Sequence, residues 1–251
     1  MTSSMIGIIP AAGSGIRARP YTYEQHKGMF SIDGRPNLLR VLDTMQNDLG
    51  IQEIVIILGY MGDSIREHFG DGSDRGLRIH YVENNNLDKG WAWSVLLAKP
   101  FLANRHACVM LADEFYLKAN FADLSAFPYD KYSAVCCVKE TENPEEIKRN
   151  FSVERNEDRI VRLVENPVSL PNNLLGVASF IVSPEVIKIL ENEYQKGRQL
   201  IEFINFIDEL IRDGHQVASF DLSGHYINLN DVASLEAAQD LAIQIRLQEE
   251  E

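Results

Sequence analysis

The sequence predicts one α/β domain whose sheet is mixed, mostly parallel, and flanked by helices. Two observations carry that prediction. Through the first 115 residues, short apolar runs such as "EIVIIL", "RIHYV" and "ACVML" alternate with stretches of helical apolar spacing. Strand–helix alternation of this kind implies parallel strands joined by right-handed crossovers. Beyond residue 115 the alternation loosens, and "FSVERNEDRIVRLVE" reads as a hairpin turning at Asn156-Glu157-Asp158.

The elements follow in order. Ile6 to Pro10 is a buried strand. Asn37 to Leu49 has Leu38, Val41, Leu42 and Met45 on one helical face. Glu53 to Leu58 is the second strand, Asp63 to Phe69 a short helix, and Gly70 to Gly76 a polar turn. Arg78 to Val82 alternates as a strand should, Trp91 to Leu102 is helical, and Ala107 to Leu111 is a fourth buried strand ending before Asp113. Ala134 to Val138, Leu175 to Val182 and Val217 to Leu222 are later strands. A helix begins near Pro184 with Ser183 as N-cap, since a serine oxygen satisfies a free amide and proline suits the first turn. Ile201 to Arg212 and Val232 to Arg246 complete the helices, and "LQEEE" reads as a frayed, solvated tail. No repeat, low-complexity tract or linker divides the chain, so residues 1–251 are expected to form one domain.

Composition narrows the function classes. With 251 residues, 45% of them hydrophobic, the chain can bury a sizeable core. It carries 37 acids against 24 bases, a formal charge of −13, and no basic run. Nucleic acid is therefore excluded as an expected partner, because backbone phosphates require a broad basic surface. No apolar run approaches the roughly 20 residues that span a bilayer, and the N-terminus lacks a signal-peptide pattern. The expectation is a cytoplasmic protein without membrane contact. Cys108, Cys136 and Cys137 lie in apolar runs and read as buried thiols.

Against that negative charge, the stretch "IIPAAGSGIRARPYTYEQHKGMF" is locally positive, with Arg17, Arg19 and Lys27 against Glu24. Three anion-binding readings compete for its glycines. Gly13 to Ala18 fits the dinucleotide pattern G-x-G-x-x-A, but Pro20 opposes the helix that pattern needs and no acid ends a second strand at the required distance. The P-loop pattern is absent. The third reading is a loop whose amides wrap a nucleoside triphosphate while Arg17 and Lys27 supply charge.

The spacing Gly13, Gly15, Arg17, Pro20, Thr22, Lys27 resembles the signature loop of the sugar-phosphate nucleotidyltransferases, which make nucleoside-diphosphate sugars. "GYMGDSIREHFGDGSDRGLRIHYVEN", "GWAW", "LADEFY", "RIVRLVENP" and "GHYINLNDVASLEAA" resemble that family's later segments in the same order. The resemblance implies a Rossmann-like, GT-A-like fold, with an NTP-binding half over residues 1–115, an acceptor-binding half over 116–230 and a C-terminal helix over 231–248. It implies an NTP and a phosphorylated small-molecule acceptor as partners, first of all a sugar 1-phosphate, and Mg²⁺ as cofactor. A homo-oligomer is compatible with the sequence.

By the same resemblance, Ala11, Ala12, Gly13, Ser14 and Gly15 contact the nucleotide, with Asn84 and Gly90 near the base. Arg17 and Lys27 stabilise the phosphates. Asp113 and Asn228 ligate the metal, with Asn230 as the alternative to Asn228, and Glu165, Gly176 and Trp93 meet the acceptor. Three departures stand out. Asn228 replaces a metal aspartate of many relatives, Asn166 replaces the lysine of E-K-P, and Ala112 replaces a glycine, where its methyl would crowd the substrates. "HKGMFSIDGRPNLLRVL" and the paired Trp91 and Trp93 resemble the phosphocholine cytidylyltransferase branch, in which an aromatic wall would hold a quaternary ammonium. The alternatives are thus a CTP-dependent enzyme for a phospho-alcohol, and a catalytically inactive sensor of nucleotide sugars.

Overall fold

A computed structural model describes residues 5–250. The chain opens with β1 (Met5–Ala11), the short hairpin β2 (Ser31–Ile32) and β3 (Arg35–Pro36), α1 (Asn37–Asp43), β4 (Glu53–Leu58), α2 (Gly62–Phe69) and β5 (Arg78–Glu83). Next come α3 (Trp91–Leu97), α4 (Lys99–Leu102), β6 (His106–Val109), β7 (Glu114–Leu117), α5 (Phe121–Ser125), β8 (Ala134–Glu140) and α6 (Pro144–Lys148). The remainder is β9 (Phe151–Asn156), β10 (Arg159–Glu165), β11 (Leu174–Val182), α7 (Pro184–Gln195), α8 (Phe203–Arg212), β12 (Val217–Asp221), β13 (His225–Asn228) and α9 (Val232–Glu250).

Nine strands form one sheet in the order β5-β4-β1-β6-β11-β8-β12-β10-β9. The first four pair in parallel, β1 matching Ile8 to Val55 on one side and to Val109 on the other. β11 enters antiparallel between β6 and β8, and β9 and β10 form the expected hairpin. Parallel pairing therefore dominates the first half and antiparallel pairing the second.

Both faces of the sheet are covered, which is why β1 and, beyond Glu53, β4 are apolar runs. Side chains alternate between faces along a strand. Ile6 and Ile8 of β1 join a cluster with Val95, Leu190 and Phe203 of α3, α7 and α8, whereas Met5 and Ile9 join Leu38, Val41 and Ile65 of α1 and α2. The three cysteines are free and buried within these layers. Among the described residues, no helix is long and apolar enough to cross a membrane.

Several boundaries differ from expectation for local reasons. The helix expected over Trp91 to Leu102 is broken at Ala98, so that Pro100 lies in the first turn of α4, where a missing amide costs nothing. The helix expected from Asn37 runs beyond α1 as a π turn, Thr44–Asp48. The tail is not frayed within the described residues: α9 continues to Glu250, with Arg246 bridging Asp33 and Glu250. Finally, β7 and β13 form a small antiparallel sheet with Glu114 opposite Asn228. That sheet carries the segments around Asp113 to the segment around Asn230.

Candidate active site

The first strand ends at Ala11, and the chain does not enter an α-helix there. It makes three single turns, Ile16–Ala18, Tyr21–Tyr23 and Lys27–Met29, as expected from Pro20 and against the dinucleotide reading. Gly15 has φ 60, and an added Cβ would stand 2.7 Å from Thr22 Cγ2. Glycine is the residue that takes this conformation and leaves this room. Thr22 Oγ1 donates to the Gly15 carbonyl at 2.9 Å, and Tyr60 reaches over to donate its hydroxyl to the Thr22 carbonyl at 2.8 Å. The loop is thereby laced onto the end of β4.

Ala11, Gly13, Ser14, Gly15, Arg17, Lys27 and Asp113, all expected from the sequence, line one cavity of about 290 Å³. Lys27 is only 8% exposed, and its Nζ lies 2.5 Å from Asp113 Oδ2. Asn230 Oδ1 accepts from Arg17 Nη2 at 2.8 Å and from Lys27 Nζ at 3.4 Å. One amide oxygen thus steadies both cations. Burial pushes the Asp113 carboxyl up, but the charge and hydrogen bond of Lys27 outweigh it and hold the group below its ordinary range. His26 also lines the cavity, and its Nδ1 accepts from the Gly28 amide at 3.0 Å. Burial lowers its pKa, against the opposing pull of Asp113.

Ala112 lines the cavity, and its methyl also packs toward Gly28. A Cβ added at Gly28 would stand 3.0 Å from the Ala112 methyl. The donor set suits a hard divalent ion. Asp113 supplies a carboxylate and Asn230 an amide oxygen in the cavity, while the buried, partnerless Oδ1 of Asn228 lies in a neighbouring hollow. Among the described residues no group of three His, Cys, Asp or Glu is gathered for a metal. Magnesium characteristically takes one or two carboxylates and completes its shell with water and substrate phosphates.

Other expected residues stand apart from this cavity. It is Asn230 that enters it, while Asn228 lines a neighbouring hollow and donates to Asn150 Oδ1 at 2.8 Å. Ala12 turns its carbonyl to the Tyr60 amide at 3.2 Å. Asn84, expected near the base, is buried. Its Nδ2 donates to Ser94 Oγ at 3.0 Å and its Oδ1 accepts from the Asn86 amide at 2.9 Å, so its side chain braces the loop. Gly90 has φ 82, and an added Cβ would strike the Ile201 carbonyl, so this glycine serves a close approach of two backbones.

On the acceptor side, Trp93 and Gly176 lie apart from this cavity. The Trp93 ring faces Lys89 Nζ at 3.9 Å, meets Tyr194 edge-on at 5.0 Å, and lines a separate cavity of about 640 Å³. Trp91 packs on Phe203 at 4.6 Å. Gly176 is covered by the Phe151 ring, which occupies the space a side chain would need, so it is a packing glycine. Glu165 ends β10 half-buried and accepts from Asn205 Nδ2 at 3.4 Å. Burial, then the charge of Glu202, raises its pKa. Asn166 has φ 46, a left-handed conformation that asparagine tolerates better than most residues. Its amide donates to the Asn150 carbonyl at 2.8 Å.

Two buried residues beside the cavity had not been expected. Glu114 follows Asp113 directly, and its acidity next to a metal-type aspartate was the available signal. Asn37 gave no signal beyond a polar residue at the start of an apolar helix.

Residues 6–243 match the family described as nucleotidyl transferase. The chain is 28% identical to the low-salt glycan biosynthesis nucleotidyltransferase Agl11 of Haloferax volcanii, over 96% of this chain and 66% of that protein. It is also 28% identical to the UTP–glucose-1-phosphate uridylyltransferase AglF of the same organism, over 98% of both. The chain thus spans just under two thirds of the first relative and nearly all of the second. Among solved structures it resembles a Bacillus anthracis protein classed as a glucose-1-phosphate thymidylyltransferase, crystallised with sucrose. The TM-score is 0.86 at 20% identity, over 95% of each chain. It also resembles a UDP-glucose pyrophosphorylase complexed with UDP-glucose, with TM-score 0.79 at 19% identity over 97% of this chain and 99% of that one. These structural likenesses show the fold.

Proposed function

Because the chain belongs to the nucleotidyl transferase family, we propose that it transfers the nucleotidyl group of an NTP to a sugar 1-phosphate, releasing pyrophosphate and forming a nucleoside-diphosphate sugar. One observation carries this reading. The glycine loop, Arg17, Lys27 and Asp113 converge on a single cavity at the exit of the first strand, the end at which open α/β sheets bind their ligands. The relative AglF, named for UTP and glucose 1-phosphate and matching almost end to end, supports the acceptor class.

In the proposed reaction an oxygen of the acceptor phosphate attacks the α-phosphorus in line. The bond from that phosphorus to the β-phosphate bridging oxygen breaks, and its electron pair leaves with pyrophosphate. The nucleophile is already anionic, so no protein base is needed, and catalysis reduces to positioning and charge neutralisation. Amides of residues 13–15 would face the phosphates, with Arg17 and Lys27 opposing their charge. Asp113, with an amide oxygen from Asn228 or Asn230, would hold Mg²⁺. That ion would supply charge neutralisation at the reacting phosphates. Glu165 would meet the acceptor.

The test is pyrophosphate release across a panel of NTPs and acceptors that includes glucose 1-phosphate and phosphocholine, with and without Mg²⁺. Release with a sugar 1-phosphate is the expected result. Release with CTP and phosphocholine alone would replace the acceptor, and NTP binding without release from any pair would favour a sensor. Lys27→Ala and Asp113→Ala should each lower kcat/KM by about 10²–10³, the usual cost of one preorganised charge-stabilising contact. Unchanged turnover in both would overturn the assignment of the cavity.

A further inference from the structure

Asp113 lies in the turn between β6 and β7, outside the ladder of either strand. The three carbonyls around it are nevertheless all engaged. The side-chain amide of Asn37 donates to the Ala112 carbonyl at 2.9 Å and to the Glu114 carbonyl at 3.0 Å. Between them, the Leu229 amide donates to the Asp113 carbonyl at 2.8 Å. Asn37 is the first residue of α1 and has no exposed surface, and its own backbone amide donates to the Phe30 carbonyl at 3.0 Å, just past the Lys27 turn.

The other side is held by Glu114, also fully buried. Its carboxylate accepts from the Tyr226 hydroxyl at 2.8 Å, from the Ala178 amide at 3.1 Å and from the Tyr116 hydroxyl. Those bonds tie the Asp113 turn to β13 and β11. A buried amide and a buried carboxyl are costly; both Glu114 oxygens are partnered, whereas Asn37 Oδ1 is buried without a partner, and an apolar side chain would fill either space. What the polar pair adds is a fixed backbone on both sides of one carboxylate.

We propose that Asn37 and Glu114 are positioning residues for Asp113, clamping the turn so that its carboxylate stays in the cavity opposite Lys27 and at the place of the divalent ion. The catalytic consequence rests on the nucleotidyl-transfer reading, whereas the geometric one concerns metal binding alone. Magnesium accepts little departure from octahedral geometry. Groups that orient a metal ligand characteristically change metal affinity by 10–100-fold when lost.

The test uses the full chain with Asn37→Leu, Glu114→Gln and Tyr226→Phe. The control is Ser183→Ala, which removes the N-cap of α7 far from the cavity. Three quantities are read: Mn²⁺ affinity by electron paramagnetic resonance with UTP present, the Mg²⁺ activation constant of pyrophosphate release, and Tm. Asn37→Leu and Glu114→Gln should weaken Mn²⁺ binding and raise the activation constant about tenfold or more, with a smaller change in the same direction for Tyr226→Phe. Ser183→Ala should lower Tm and leave both metal constants alone. Variants that lower Tm while keeping the metal constants within about twofold of wild type would reduce the clamp to core packing and overturn the proposal. If Asn37→Leu fails to fold, Tyr226→Phe decides, since it removes one donor and little volume. Wild-type protein that binds Mn²⁺ and UTP but releases no pyrophosphate would sink the transfer reading alone. Wild-type protein that binds no Mn²⁺ would sink the clamp.

Discussion

Asn230 sets its amide oxygen between Arg17 and Lys27 and so keeps both cations pointed into the cavity before any nucleotide arrives. Removing it should weaken nucleotide binding without removing a charge. For Asn230→Ala we expect a loss of about 1 kcal/mol, the usual value of one hydrogen bond, read as a roughly fivefold rise in nucleotide KM. An unchanged KM would show that the cations need no such support. A second prediction concerns Glu165 and Glu202, each raised first by burial, with Glu202 adding to the rise at Glu165. A carboxyl whose folded pKa is raised contributes stability below its unfolded pKa and loses it as pH rises through the folded value. Glu165→Gln should therefore gain stability relative to wild type at pH 8, by roughly 0.5 kcal/mol for these partly exposed groups. The gain should shrink toward pH 4, while acceptor KM rises. A Tm difference independent of pH would contradict this. Residue identity made the glycine loop and Asp113 legible, because their chemistry is local. Which of Asn228 and Asn230 lines the cavity was not, because it depends on how β13 registers against β7, which no spacing in one segment reveals.

At the level of elements, the clearest dependence is that of β11 on β9. Gly176 pairs with both Val138 and Phe151, and the Phe151 ring lies over it. Gly176→Ala should destabilise the fold by about 1–3 kcal/mol, as overpacked cores do. Adding Phe151→Leu should recover part of that loss, a coupling that a double-mutant cycle in denaturant would measure. Additive effects would mean that the two do not compete for one space. The long buried strands and amphipathic helices were legible because their periodicity spans many residues. β7 and β13, at four residues each, are too short for a pattern to stand out, and they are the elements that bring the Asp113 and Asn230 segments together. The surroundings of Trp93 were hidden for a related reason: its spacing places it on a helix, but which neighbour covers its face is settled by α7.

Across the molecule, the two halves expected from the sequence share one sheet. The strand that joins them, β11, bonds to β6 of the first half on one edge and to β8 of the second on the other. Calorimetry of the full chain should therefore show one cooperative unfolding transition, and two resolved transitions would indicate separable domains. The boundary near residue 115 was legible as a change of pattern, but that pattern carries no information on whether the halves share strands. The shared strand also constrains how substrates get in. Spreading the halves apart would tear the antiparallel ladder between β6 and β11, so the molecule is welded along its middle. The cavity is bordered instead by segments at the strand ends, among them the small turns between residues 16 and 29. Lys27 rides on the last of these, so the cation that faces the cavity and the rim of its mouth are the same piece of chain.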